Sequence, residues 1–172
     1  MNANWKDMKL WMMDISYSSS VDGTGFRDVL FVTGCPHHCP GCQNPETWEM
    51  EKGHLTPLGE VYDKLMHSDI TNITYSGGEP FQQAAALAAL TREIRAHSKK
   101  SIWVYSGYLF EALAADPEKR QLLELCDVLV DGRFEQEKTQ LNLRFRGSTN
   151  QRFIDIPASL AAGKAVLYDL DF

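Results

Sequence analysis

The chain has 172 residues, 44% of them hydrophobic, so by size it is one domain with material for a sizeable core. Its formal charge of −6 and pI near 5.3 argue against a nucleic-acid binder held by phosphate contacts. No run of about twenty apolar residues would span a membrane, and the N-terminus lacks the apolar stretch and small-residue cleavage site of a signal peptide. A reducing, cytoplasmic compartment is expected, where closely spaced cysteines serve as metal ligands or catalysts rather than as bridges.

In chain order, Met1-Asn-Ala-Asn-Trp-Lys6 is polar and reads as loosely held, the start of an extension over residues 1–20. Val29-Leu-Phe-Val-Thr33 is a β-rich apolar run that leads into Cys35-Pro-His-His-Cys39-Pro-Gly-Cys42. Thr56-Pro57 reads as a helix start, with Thr56 as N-cap and Pro57 at the first helical position. Leu58, Val61, Tyr62, Leu65 and Met66 then make one apolar helical stripe. Asn72-Ile-Thr-Tyr-Ser76 is a strand ending in Gly77-Gly78-Glu79-Pro80, followed by an Ala/Leu-rich helix over residues 82–97.

Ser101-Ile-Trp-Val-Tyr105 is a third strand, ending at Ser106-Gly107, with helices at residues 109–115 and 118–126. Val128-Leu-Val130 is a fourth strand, ending in Asp131-Gly132-Arg133. Arg152-Phe-Ile-Asp-Ile156 and Ala165-Val-Leu-Tyr168 are short strands in a C-terminal segment, residues 152–172, to which no role attaches. No internal repeat, low-complexity tract or charge block interrupts the chain.

One regularity organises this pattern. The cysteine loop, Gly77-Gly78-Glu79-Pro80, Ser106-Gly107 and Asp131-Gly132-Arg133 each follow a predicted strand. In parallel βα architectures the loops after the strands gather on one face, which carries the active site. The chain is too short for eight βα units, so an α/β fold of the partial-barrel or curved open-sheet kind is expected.

Three cysteines in eight residues point to a metal. Closed four-cysteine sites hold structural zinc or electron-transfer clusters. Three ligands on a four-iron cluster leave one iron open to substrate. Zinc on Cys35, Cys39, Cys42 and either His37 or His38 is the alternative, although a histidine inside so short a loop reaches back to the same ion poorly. Cys126, at the apolar end of a helical segment, reads as a small buried hydrophobe and not as a fourth ligand.

Gly77 and Gly78 allow close approach of a ligand to the backbone, and Glu79 with the strand-end carbonyls offers acceptors for an ammonium. A tight turn would explain the same residues. Asp131 and Arg133 bring one charge of each sign, suited to a zwitterionic or ribose-bearing ligand or to an ordinary surface pair.

Cys35-x3-Cys39-x2-Cys42 followed by Gly77-Gly78-Glu79-Pro80 resembles the radical S-adenosylmethionine superfamily, whose fold is a full or partial (β/α) barrel. Val21-Asp-Gly-Thr-Gly-Phe-Arg27, Cys39-Pro-Gly-Cys42-Gln43-Asn44 and Thr47-Trp48 are similar to the glycyl-radical-enzyme activases. Asp131-Gly132-Arg133-Phe134 and Arg146-Gly-Ser-Thr-Asn150-Gln151 narrow the likeness to the branch that acts on the anaerobic ribonucleotide reductase. The chain departs from the superfamily at Gly41, where many members carry an aromatic residue. Residues beyond Arg152 match nothing.

The resemblance implies a single radical S-adenosylmethionine domain over residues 1–172. It implies one 4Fe–4S cluster on Cys35, Cys39 and Cys42, with S-adenosylmethionine as second cofactor. Its candidate binding residues are Gly41, Cys42, Gln43, Gly77, Gly78, Glu79, Ser106, Asp131 and Arg133. The implied partners are the large subunit of the anaerobic ribonucleoside-triphosphate reductase and a low-potential electron donor such as flavodoxin. The implied reaction is reductive cleavage of S-adenosylmethionine, giving a 5′-deoxyadenosyl radical that installs a glycyl radical on the reductase. No acid–base residue is nominated, and His37 and His38 read as tuning the loop. An activase of another glycyl-radical enzyme (formate-lyase type), a small-molecule radical enzyme, and a metal-binding module without turnover remain as competing readings.

Overall fold

The computed structural model describes residues 4–170. The strands are β1 (Lys9–Ser19), β2 (Arg27–Val32), β3 (His54–Pro57), β4 (Asn72–Gly77), β5 (Ile102–Tyr105), β6 (Val128–Asp131) and β7 (Arg152–Asp155). The helices are α1 (Leu58–Leu65), α2 (Ala84–His97), α3 (Phe110–Ala115), α4 (Pro117–Leu123) and α5 (Ile156–Ala162). All seven strands form one open sheet in the order β3-β1-β2-β4-β5-β6-β7. β2, β4, β5 and β6 run parallel, and β1, β3 and β7 are antiparallel to their neighbours. The parallel pairs demand crossovers, which α1, α2 and the α3–α4 pair supply.

Alternation along the parallel strands separates two faces. Leu30, Val32, Ile73, Tyr75, Ile102, Val104 and Leu129 turn to a core shared with Leu87, Leu90 and Ile94 of α2 and Leu122 and Leu123 of α4. Trp103, Val128 and Val130 turn the other way, into a smaller cluster with Phe145, Phe153 and Tyr168. Helices cover the first face and loops cover the second.

On the loop face Arg27 is fully buried. Its guanidinium donates to Thr74 Oγ1 (2.8 Å) and to the carbonyls of Ile73 (2.7 Å), Ser101 (2.8 Å) and Thr24 (3.0 Å), and lies 5.5 Å from the Trp103 ring centroid. Burial lowers its pKa to about 10, and these four hydrogen bonds offset part of the cost of burying the charge.

Several expectations are corrected. Most of the supposed N-terminal extension is β1, which buries Leu10, Met12 and Ile15. Residues 1–3 of the polar opening lie outside the described residues, and Trp5 packs edge-on against Tyr62 at 5.4 Å. Thr56 is a strand residue and not an N-cap: it pairs with Leu10, and α1 begins at Leu58 with Pro57 as its cap. The strand expected through Ile156 stops at Asp155, whose carboxylate caps α5 by accepting the Ala158 N–H at 3.0 Å. Of the strand expected at residues 165–168, one bridge remains, Leu167 to Ile154. That C-terminal segment has a structural use, because Tyr168 packs edge-on against Trp103 and donates its N–H to the Phe153 carbonyl. Cys126 is buried against the helix-face core, as expected.

Candidate functional site

The C-terminal ends of the four parallel strands open on one pocket of about 530 Å³, within the usual range for small-molecule sites. Phe31 of β2, Ser76 to Gly78 at the end of β4, Tyr105 to Gly107 at the end of β5 and Gly132 after β6 form its base. Cys35, Cys39 and Cys42 form one wall with His37, Gln43, Asn44 and Trp48. Residues 20–22 and 143–147 form the others.

The cysteine loop is fixed by the sheet. The Gly34 N–H donates to the Thr47 carbonyl (2.8 Å) and the Cys35 N–H to the Trp48 carbonyl (3.0 Å). Gly78 and Glu79 continue the ladder, donating to the carbonyls of Val32 and Gly34, both at 2.8 Å. These close approaches explain the two glycines. A Cβ on Gly78 would stand 2.7 Å from the Gly34 carbonyl oxygen, and one on Gly77 2.5 Å from the Val32 carbonyl oxygen. Glycine is therefore required here by the protein's own backbone, not first by a ligand.

Within the loop, the Cys42 N–H closes a turn onto the Cys39 carbonyl at 3.1 Å. Gly41 is left-handed in that turn (φ 76°), and a Cβ there would meet the Gln136 side chain at 2.7 Å. An aromatic residue does not fit this position, which accounts for the departure at Gly41. Gly41 faces Gln136 and does not line the pocket; Phe31, Trp48, Tyr105, Phe134 and Phe145 supply aromatic surface instead.

The thiols sit among backbone donors. His38 is left-handed (φ 48°), and the N–H groups of His37 and His38 both turn to the Cys35 sulfur. The Asn44 N–H lies 3.4 Å from Cys42 Sγ. Burial pushes the Cys35 thiol above its ordinary value; the two backbone donors oppose that shift, and Glu79 and Cys39 add to it. N–H groups aimed at sulfur are what anionic thiolates and iron–sulfur groups require, so the donor set fits such a centre. The histidines are engaged elsewhere, which weakens the zinc alternative. His37 Nε2 is bonded to Glu79 Oε1 at 2.8 Å, and His38 stacks on Trp48 at 4.6 Å. Among the described residues no three Cys, His, Asp or Glu side chains are gathered as ligands of a single ion.

Not every expected residue reaches the pocket. Gln43, Gly77, Gly78 and Ser106 line it with the three cysteines. Glu79 lies beneath it, 1% exposed, accepting from Ser106 Oγ, Gly107 N, His37 Nε2 and Phe81 N. Asp131 is fully buried and points away: its carboxylate accepts from Arg152 Nε (3.0 Å), Arg152 Nη2 (2.5 Å) and the Phe110 N–H (2.8 Å). Arg152 also holds Glu111, and these two carboxylates raise its pKa, Asp131 the more strongly. Arg133 is exposed and outside the pocket, its carbonyl held by Asn150 Nδ2. Neither residue lines the pocket: the Asp131 carboxylate is taken up by Arg152 and the Phe110 N–H, and the Arg133 side chain is exposed.

Residues 143–147 were not anticipated. Phe145 is left-handed (φ 63°), and its carbonyl accepts from the Tyr105 hydroxyl, which burial holds in the neutral form by raising its pKa. Gln151 ties this wall to the sheet, accepting from Gly147 N and donating to the Gly132 carbonyl. The Arg146-to-Gln151 motif was the available signal, but nothing in it says which cavity it closes.

Comparison with known proteins bears directly on this geometry. A family model described as a 4Fe-4S single cluster domain matches residues 21–154. The anaerobic ribonucleoside-triphosphate reductase-activating protein of Escherichia coli K12 is 38% identical over 141 residues, covering 76% of this chain and 89% of that protein. The chain belongs to this activating-protein family. Members from Pasteurella multocida (36% identical; 76% and 88% covered) and enterobacteria phage T4 (38%; 77% and 85%) show the same relation. The family-model match takes in the cysteine loop and most of the pocket wall, and its description supports an iron–sulfur cluster in this chain. No helix among the described residues is long and apolar enough to cross a membrane.

Proposed function

We propose that this chain activates an anaerobic ribonucleoside-triphosphate reductase, with a 4Fe–4S cluster on Cys35, Cys39 and Cys42 and S-adenosylmethionine in the adjoining pocket. The observation that carries the reading is that all three cysteines line one pocket with Gly77 and Gly78, in a chain whose relatives bear the activating-protein name. The open sheet is read as a single-domain partial (β/α) barrel. Cys35, Cys39 and Cys42 would hold the cluster, which would supply the electron for reductive cleavage of S-adenosylmethionine and so the hydrogen-abstracting chemistry directed at a glycine of the reductase.

The protein's own part is placement and exclusion. Gly77 and Gly78 form the pocket floor where the backbone passes close to Val32 and Gly34. Gln43 and Ser106 offer polar edges, and Tyr105, Phe134 and Phe145 offer apolar surface for an adenosyl group. Residues 143–147, pinned by Tyr105 and Gln151, form part of the wall that screens the pocket from solvent. No acid or base is needed. A low-potential donor such as flavodoxin would deliver the electron.

The test is anaerobic mixing of reconstituted protein with its cognate reductase, reductant and S-adenosylmethionine, followed by electron paramagnetic resonance. The expected result is a doublet on the reductase that collapses when its glycine is Cα-deuterated. Cofactor cleavage without a radical on the reductase would remove the partner and leave the broader chemistry.

A further inference from the structure

The rim of the pocket carries apolar side chains that the fold leaves uncovered. Val21, on the wall formed by residues 20–22, is exposed. Leu109, half-exposed just before α3, lies beside Gly132 at the pocket base, where a Cβ would stand 3.8 Å from it. Leu141 is fully exposed, two residues before pocket-lining Leu143 and four before Phe145, which is buried in the wall. Apolar residues at 141, 143 and 145 thus lead from the surface into the cavity. A single exposed hydrophobe is ordinary, but several around one concave site mark a surface that meets another molecule.

Charge also sets this rim apart. Residues 133–152 carry five basic and two acidic side chains, in a chain of net charge −6. Lys138 is engaged by Glu135, Arg146 by the Gln151 carbonyl, and Arg152 by Asp131 and Glu111. Arg133 is exposed and takes part in none of the ion pairs found among the described residues.

The segment is held at its ends and left open at its tip. The Thr149 N–H donates to the Lys138 carbonyl (2.9 Å) and closes the base of the loop, while Tyr105 and Gln151 pin Phe145 and Gly147. Between these pins, residues 140–143 make no backbone hydrogen bond among the described residues. On the reading above, S-adenosylmethionine occupies the pocket and the rim lies outside it. A macromolecule that delivers a glycine into the pocket has to pass over that rim.

We propose that Leu109, Arg133 and Leu141 form the docking surface for the reductase, and that they receive a segment carrying apolar side chains and at least one carboxylate beside its target glycine. This rests on the reading given under Proposed function and adds the surface by which the partner is met. Removing the two leucines from water supplies affinity, and the Arg133 guanidinium supplies orientation and encounter rate. Ordering residues 140–143 on binding offsets part of that gain.

The experiment uses the full chain, reconstituted anaerobically, in an equilibrium binding titration against its immobilised cognate reductase. Leu141→Ser and Arg133→Glu are compared with wild type and with Ile70→Ser. Ile70 is also an exposed apolar residue, but it lies just before β4, at the opposite end of the parallel strands. Iron content reports the cluster, equilibrium dialysis of S-adenosylmethionine the pocket, and light scattering the oligomeric state of the free chain.

The expected result is that all three variants keep wild-type iron and wild-type affinity for S-adenosylmethionine. Leu141→Ser should bind the reductase about tenfold to a hundredfold more weakly. Arg133→Glu should bind about tenfold more weakly, with a flatter salt dependence, and Ile70→Ser as wild type does. Wild-type affinity for the reductase in Leu141→Ser or in Arg133→Glu overturns the proposal and leaves the activating function intact, as does an equal loss in Ile70→Ser. A changed mass of free Leu141→Ser with unchanged reductase affinity also overturns it, and makes the rim a contact between copies of this chain. If Leu141→Ser takes up no iron, Arg133→Glu decides by the same criterion. Failure of loaded wild type to bind the reductase or to place a radical on it sinks the functional reading and this inference together.

Discussion

The two faces of the sheet share their strands and are closed in different ways. On the helix face, mostly aliphatic side chains meet others of the same kind from α1 to α4, with Tyr75 bonded to Thr91 at 2.8 Å among them, and the main requirement is volume and apolarity. On the loop face, Arg27, Trp103, Tyr105 and Phe145 are held by directed hydrogen bonds and ring contacts, and the cover comes from residues 20–26, 143–147 and 164–170. The first face tolerates exchange of one hydrocarbon for another. The second is specified atom by atom, and it carries the pocket. The contrast implies that substitutions on the helix face change stability without changing the site, and that those on the loop face do both.

The largest test of this contrast uses the cysteines, since both faces have them. Alanine at Cys35, Cys39 or Cys42 should abolish iron and sulfide uptake on anaerobic reconstitution, whereas Cys126→Ala should load fully. Loss of the cluster in the Cys126 variant would break the separation. Next, Leu87→Ala on α2 should cost about 2–5 kcal/mol in denaturant unfolding, with normal iron content in the folded protein. Gly78→Val should cost about 2–4 kcal/mol by forcing the Gly34 and Thr47 carbonyls apart, and unlike Leu87→Ala it should also impair cluster uptake. A Gly78→Val protein with normal stability and iron would mean that the close backbone approach is unimportant.

A smaller effect is expected at Tyr105→Phe, which removes the donor to the Phe145 carbonyl: about 1–2 kcal/mol of stability, with faster proteolysis confined to residues 143–147. The smallest is a pH effect on the helix face. Burial raises the Cys126 thiol above its ordinary 9.0. The folded state therefore keeps a proton that the unfolded chain begins to lose near pH 9. Stability from this group is complete below that point and declines above it, by at most about 1.4 kcal/mol per pH unit. Melting temperatures at about pH 8 and about pH 10 should fall further for wild type than for Cys126→Ala.

What the sequence made legible follows the same division. β2, β4, β5 and β6 stand out because buried β-rich runs need no partner to be recognised. β1 was hidden by its own irregularity: the register shift between Met12 and Asp14 breaks the alternation, so its buried residues fall at Leu10, Met12 and Ile15. α5 carried its signals openly, Asp155 as cap, a proline in the first turn and left-handed Gly163 at the end, but they were absorbed into a strand that stops one residue earlier. In the site, the three cysteines and two glycines were readable from spacing. Asp131 was misread because its true partner, Arg152, faces it across the β6–β7 pair, a register that no local pattern encodes. The bond between His37 and Glu79 was hidden for the same reason: it joins residues 42 positions apart.

The hydrogen-bond ladder that runs past the strand ends, through Gly34, Cys35, Gly78 and Glu79, has a kinetic consequence. The Cys35 N–H is held by the Trp48 carbonyl, beside the bond from the Gly34 N–H to the Thr47 carbonyl, so its amide should exchange slowly, only when the turn over residues 44–48 lifts from the loop. The amides of Cys39 and Gly41, outside that ladder, should exchange orders of magnitude faster. A metal arriving at this loop meets one anchored sulfur and two on a short tether. The conformational freedom of the first ligand has already been lost when the sheet folds, and only the tether remains to be ordered.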